Sequence, residues 1–204
     1  MKRSAVYTRW CALSDGQPAL LRPDERARLR SFGDADRRRS FVAGRTALKR
    51  LVAQHRGVPP GDAHIHVAPD DSLLLDGPFY GSLAHSGDWA MAVLSLTPIG
   101  VDLERIQPRD PDVARFLFAP TDRDTLYTLP GSFDEQLILA WTLKEAVLKA
   151  RRSGFRCSPK SIQLAVDART GTARAVVTRS EPHDHWHLTF GRRQDYWWAW
   201  AVPE

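Results

Sequence analysis

The order of apolar and polar positions divides the chain into two long helical patterns and a set of short period-two runs. One helical pattern extends from about Asp36 to His55. The other is "FDEQLILAWTLKEAVLKARR", residues 133 to 152. Wound at about 100° per residue, the second helix puts Leu139, Leu143, Ala146, Val147 and Ala150 on one stripe, which we assign to the core. Glu145 and Lys149 then stand one turn apart on a different face, together with Trp141. A shorter helix is predicted after Pro23 and another after Pro120. Strands are predicted at about 63–68, 72–75, 89–96, 99–104, 161–167, 173–179, 185–190 and 196–202. The Gly-containing loop in "VDARTGTARAVV" marks a hairpin within that series.

The pattern repeats. Displaced by 97 positions without a gap, Pro23 falls on Pro120, Leu29 on Leu126, Phe41 on Ile138, Ala43 on Ala140, Ala53 on Ala150 and Ile65 on Ile162. The expected fold class is α+β: two similar α/β halves, 1–97 and 98–204, related by a pseudo-twofold axis with a ligand cleft between them. Chemistry is sought where the repeat breaks its own symmetry. The counterparts of Glu145 and Lys149 in the first half are Leu48 and Val52, so a carboxylate and an amine stand where the partner helix has aliphatics.

A second polar pair interrupts the apolar run "WAMAVLSLTPIGVDLE" (89 to 104). In its last strand Ile99, Val101 and Leu103 point to one face, and Gly100, Asp102 and Glu104 to the other. Neighbouring carboxylates repel, and a positive charge between them is required to keep both ionised. Taken singly, each feature has an ordinary reading. An exposed i, i+4 Glu–Lys pair stabilises a helix by only about 0.2–0.5 kcal/mol, and polar outer faces on antiparallel strands are normal. Taken together, three carboxylates and a lysine make a hard-oxygen cation site of the kind Mg²⁺ prefers when it also bridges to phosphates.

Composition narrows the partners. The chain of 204 residues carries a formal charge of +5 and has a pI of about 9.6. Between Arg22 and Arg56 ten arginines and one lysine face only four acids, so this segment alone exceeds the surplus of the whole chain. Polyanions, phosphorylated ligands and acidic proteins are suitable partners. The two cysteines, Cys11 and Cys157, have no metal-type spacing, and a reducing, cytoplasmic setting is expected. The start of the chain lacks a secretory signal pattern, and no run has the length of a membrane span.

The spaced motifs "IGVDLE" and "WTLKEAVLK", with 38 residues between Asp102 and Trp141, resemble the signature of the Sfp-type 4′-phosphopantetheinyl transferases. "GSLAHSGDW" (81 to 89), expected as a loop just before the strand at 89–96, resembles that family's His-Ser-Gly loop. "AGR" (43 to 45) resembles its first-half helix motif. The resemblance implies a Mg²⁺-dependent enzyme that moves the 4′-phosphopantetheine arm of coenzyme A to a serine of an apo acyl or peptidyl carrier protein. 3′,5′-ADP is released. Such carriers serve polyketide, nonribosomal peptide or fatty acid biosynthesis. By position, it implies Asp102, Glu104 and Glu145 as metal ligands. Glu145 is the first choice of general base and Glu104 the second. Lys144 and Lys149 are implied on the pyrophosphate, with Lys149 also among the catalytic groups. His85 and Ser86 are implied on the coenzyme, and Arg45 on its 3′-phosphate, for which a guanidinium fork is suited. A monomer is expected.

Two departures concern the coenzyme grip. The family commonly has a basic Gly-Lys-Pro or Gly-Arg-Pro turn upstream of the His loop, whereas "DDSLLLDGPFYGS" has no Lys or Arg. Ala84 stands where a serine is common. Three other readings compete. "HDHWH" (His183, His185, His187) and "HIH" (His64, His66) have zinc-compatible spacing but lack an acid or cysteine in obvious reach. The Trp-rich "YWWAWAV" with the basic cluster suggests a nucleic-acid module, which loses to aromatics packing a sheet on a helix. A catalytically degenerate coenzyme A or carrier-protein binding module is the remaining alternative, and the acidic cluster argues against it. The segment from Gln107 to Pro130 is the expected edge for carrier docking.

Overall fold

The computed structural model describes residues 5–70, 72–152, 157–178 and 184–204. It divides into two compact units between Thr97 and Pro98. His183 lies outside the described residues.

In the first unit the elements are β1 (Tyr7–Ala12), α1 (Pro23–Ser31), α2 (Ala35–Arg56), β2 (Ile65–Val67), β3 (Leu73–Leu75), β4 (Tyr80–Ser86) and β5 (Trp89–Ser95). An antiparallel sheet in the order β1-β5-β4 carries α2 on one face, while β2 and β3 form a separate hairpin. Asp34 caps α2 by accepting a 2.6 Å bond from the Arg37 amide, a common helix start. The helix stops at Gly57, whose positive φ of 67° closes the last turn. Its apolar face, with Ala43, Ala47, Leu48, Leu51 and Val52, packs with Cys11, Ala90, Ala92 and Leu94.

The second unit contains β6 (Gly100–Arg105), α3 (Val113–Leu117), α4 (Asp124–Tyr127), α5 (Phe133–Arg151), β7 (Ile162–Asp167), β8 (Thr172–Val177), β9 (Asp184–Arg193) and β10 (Tyr196–Pro203). Its antiparallel sheet has the order β6-β10-β9-β8-β7. A capping box starts α5: the Ser132 hydroxyl accepts from the Glu135 amide, and the Glu135 carboxylate accepts from the Ser132 amide at 2.8 Å. In β10, alternation turns Trp197, Ala199 and Ala201 into the core with Leu139, Leu143 and Ala146. The intervening Trp198 and Trp200 belong to the other face and are only half-buried, so just part of the tryptophan run packs under the helix.

Both long helices lie within a residue or two of their predicted bounds, and all the strands predicted in the second half are present. Two first-half strands differ from expectation. Residues 7–12 form β1, whose "YTRWCA" sequence has no clear alternation. The His-Ser-Gly segment is not a loop before a strand: His85 and Ser86 end β4, paired with Ala90 and Trp89 across a tight hairpin. Gly87 supplies the positive φ of 52° that this turn requires.

The approach of α5 to β6 positions the acids. A Cβ at Gly100 would lie 2.2 Å from both the Ala146 carbonyl oxygen and the Ala150 amide nitrogen. The helix backbone therefore touches the strand where there is no side chain. Because alternation places Asp102 and Glu104 on the same face as Gly100, they are brought to the helix as well. Gly100→Ala is expected to cost about 3 kcal/mol by overpacking against backbone. Urea unfolding checks this, with a control at Gly33, where an added Cβ meets nothing.

Candidate active site on β6 and α5

Within α5 the half-buried positions Trp141, Glu145 and Lys149 follow one another at four-residue spacing, between positions that are fully buried. This is the stripe expected to break the repeat. Leu48 and Val52, its first-half counterparts, are fully buried in their own core. The strand face opposite the stripe presents Asp102, which is 5% exposed.

Lys149 Nζ donates to Asp102 Oδ1 at 2.7 Å. The first positive charge beside the strand acids is thus the protein's own ammonium. Glu145 is a turn away, and its carboxyl is pushed above the usual carboxylate range. Burial is the main cause and the nearby Asp102 charge the next, with Lys149 pulling the other way. Removing two carboxylates from water next to each other disfavours ionising both. Glu104 continues the line one pleat on, with Arg109 Nη2 3.7 Å from its Oε2. Both strand carboxylates are therefore turned towards cations of the protein, and Asp102 also repels Glu145.

Next to Glu104 a pocket of about 180 Å³ opens between charged and apolar walls. Glu104 and Arg109 form the polar side, and Val113, Leu137, Ile138 and Trp141 the apolar side. Phe116 of α3 stacks on Trp141 at 6.0 Å between centroids. Arg109 had no signal in the sequence beyond its place in the expected docking segment.

Lys144, expected on the pyrophosphate, has a different task. Its side chain is 1% exposed, and Nζ donates to three carbonyl oxygens: Leu117 at 2.8 Å, Pro159 at 2.9 Å and Ile162 at 2.8 Å. The ammonium also lies 4.4 Å from the Phe118 ring centroid. Three donors and three acceptors leave nothing for a ligand. Burial pulls its pKa down to about 8. The expectation is corrected: Lys144 ties α5 to the end of α3 and to the entry of β7.

Arg45, expected on the 3′-phosphate, is not saturated as Lys144 is, since its Nη1 is buried without a hydrogen-bond partner. Instead of offering an exposed fork, it is buried, with Nε 3.6 Å from Glu25 Oε1 and its guanidinium over the Phe41 ring at 5.2 Å. Lys49, fully buried, donates to the Ala63 carbonyl at 2.7 Å and lies 3.0 Å from Glu25 Oε2. Glu25 further accepts from the Arg22 amide, closing the first turn of α1. One carboxylate thus joins two helices through two cations. A lysine four residues after Arg45, inside an apolar stripe, was the signal for this cluster. His85 is exposed at the end of β4, and Ser86 is half-buried beside it.

Two substitutions separate anchor from site. Lys144→Met is expected to cost about 3 kcal/mol, because buried carbonyl groups lose their donors. Lys149→Met, at a half-buried position where solvent screens the pair, is expected to cost only about 1 kcal/mol while removing the site's ammonium. Paired denaturation curves and transfer assays check both.

Comparison with known proteins places the chain in a family. Residues 98–201 match the family model of the 4′-phosphopantetheinyl transferase superfamily. The chain is 32% identical over 146 residues to 4′-phosphopantetheinyl transferase HetI of Nostoc sp., covering 67% of this chain and 62% of that protein. It is 25% identical to a 4′-phosphopantetheinyl transferase of Bacillus subtilis, over 69% of this chain and 64% of the relative. With enterobactin synthase component D of Salmonella austin the identity is 36%, over 60% of this chain and 51% of the relative. The matched segments thus span between half and two thirds of these relatives. With β6 and α5 both inside the matched region, which is more than half of its length, the chain belongs to the 4′-phosphopantetheinyl transferase superfamily.

Proposed function

We propose that the chain transfers the 4′-phosphopantetheine arm of coenzyme A to a serine of an apo acyl or peptidyl carrier protein and releases 3′,5′-ADP. The observation that carries this reading is the Asp102–Lys149–Glu145 cluster, set by Gly100 at the junction of β6 and α5 inside the matched region. The relatives bear the names of such transferases. No helix among the described residues is long and apolar enough to cross a membrane.

The donor set fits Mg²⁺. Asp102, Glu104 and Glu145 offer carboxylate oxygens only, the chemistry a hard divalent ion selects. Burial first and the Asp102 charge next hold Glu145 above the usual carboxylate range, and a divalent ion beside it would favour the ionised form. When bound, Mg²⁺ supplies charge neutralisation on phosphoryl oxygens and on the leaving group.

The remaining steps belong to side chains. The serine hydroxyl attacks the β-phosphate in line, and the bond to the bridging oxygen of 3′,5′-ADP breaks. Glu145 is assigned to accept the serine proton, directly or through one water, because a neutral serine hydroxyl needs a base within hydrogen-bond reach. Glu104 is the second candidate. Lys149, one third exposed, offers its remaining N–H groups to the pyrophosphate. His85 and Ser86 are proposed as coenzyme contacts of the first unit. The apolar wall with Trp141 and the flanking Gln107–Pro130 segment are proposed to receive the carrier.

A catalytically silent coenzyme A or carrier-protein binder is the competing reading. It is disfavoured because a binder gains little from burying two repelling carboxylates.

Incubation with coenzyme A, Mg²⁺ and a panel of apo carriers is expected to add one phosphopantetheine mass to the carrier, and EDTA is expected to abolish it. Binding without transfer would support the silent binder. Glu145→Gln is expected to abolish transfer, and near-normal turnover would exclude the assigned role. The same variant is expected to raise the thermal midpoint of the metal-free protein. A carboxyl whose folded pKa is raised contributes its full stability below the ordinary glutamate pKa and loses it as pH rises through the folded value. The advantage of Glu145→Gln over the native protein should therefore be absent in acid and grow towards neutral pH, as read from melting curves across that range.

A further inference from the structure

We propose that His64, His66 and Asp76, in the first unit, bind a transition-metal dication of the Zn²⁺ or Co²⁺ class. The sequence shows the two histidines without an acid. The hairpin supplies it. Ile65 is buried in the core, so alternation points its strand neighbour His66 to the outer face, and His64 immediately precedes the strand. The ladder pairs Ile65 with Leu75 and His66 with Leu74. One step beyond its end, Asp76 comes beside His64.

One ligand atom from each of the three residues lies within 4.8 Å of the others. His64 Nδ1 is 3.6 Å from Asp76 Oδ2, and the two imidazole rings meet edge to face at 6.0 Å. Two imidazoles and a carboxylate form a borderline-soft donor set. It suits Zn²⁺ or Co²⁺ with a fourth position left to water, and it does not suit Mg²⁺. Arg56 Nη1, 3.1 Å from Asp76 Oδ2, orients the carboxylate from outside the triple.

Arg22 opposes the ion. Its Nη1 is 2.6 Å from His64 Nε2. A guanidinium can only donate, so Nε2 accepts and the ring proton resides on Nδ1. An ion at Nδ1 requires that proton to leave, and an ion at Nε2 requires Arg22 to leave. At either nitrogen the arginine competes, and its side chain, 37% exposed, has solvent to turn into. Occupancy would fasten the β2–β3 hairpin and the Gly77–Pro78 turn that follows Asp76. This site uses none of the residues assigned to group transfer and does not depend on that reading.

The test is titration of the full, untagged chain with Zn²⁺ by calorimetry and with Co²⁺ by visible absorption. One ion per chain is expected, with the visible bands of four-coordinate Co²⁺. His66→Ala and Asp76→Asn are expected to weaken binding at least about tenfold. Arg22→Ala is expected to tighten it, and His185→Ala, in the other histidine-rich segment, to leave it unchanged. Circular dichroism verifies that each variant is folded. His66 is exposed, so its loss does not threaten the core. Failure to bind one ion, affinity indifferent to His66→Ala and Asp76→Asn, loss of binding in Arg22→Ala, or loss in His185→Ala would each overturn the proposal.

Discussion

The candidate site depends on a backbone approach. At Gly100 the strand offers only a hydrogen, and the main chain of α5 at Ala146 and Ala150 occupies the space a Cβ would need. Strand alternation and helix periodicity do the rest: Asp102 follows Gly100 on the same face, and Lys149 and Glu145 flank the contact on the helix. An ion pair at 2.7 Å closes the junction. Asp102 is nearly buried while Lys149 reaches solvent, so water reaches the pair from the lysine side and moderates the cost of parting it. The arrangement is thus both a packing contact and an electrostatic one.

The two units share a helix-on-sheet pattern but differ in the side chains on the helix. In each, a long helix lies on an antiparallel sheet whose first three partners follow the same order, β1-β5-β4 in one and β6-β10-β9 in the other. In the first, Leu48 and Val52 occupy the positions of Glu145 and Lys149 and close a dry core. At these two positions one helix has aliphatics and the other a carboxylate and an amine, with no change of element.

Buried lysines complete each unit. Lys49 and Lys144 are not equivalent under the 97-residue displacement, since Lys144 corresponds to Ala47. Even so, both fasten the long helix to the chain entering the next strand, through Ala63 before β2 and through Pro159 and Ile162 at β7. Lys49 shares a carboxylate with Arg45, whereas Lys144 is satisfied by carbonyl oxygens and an aromatic face. A flexible four-carbon stem lets the ammonium reach acceptors that no apolar side chain could satisfy.

The long helices, the second-half strands, the duplicated pattern and the Glu145–Lys149 stripe are all legible in the order of residues. They rest on periodicity, which is local, and on the contrast between halves, which needs no coordinates. The expectation of family membership was likewise legible in two spaced motifs. What each cation does is settled only by the folded chain. Lys144 sits in a motif that suggests phosphate, yet burial and three nearby acceptors commit it to carbonyls, whereas Arg45 reaches Glu25 through Nε and keeps Nη1 unpartnered. The strand β1 was invisible because its stability comes from pairing with β5, and β4 because a turn motif masked a paired strand end. Asp76 became a partner for His64 and His66 only when the hairpin register brought residues twelve and ten positions apart within reach. Spacing reveals which face a residue occupies; the partner on the far side of that face comes from contacts between segments distant in the chain.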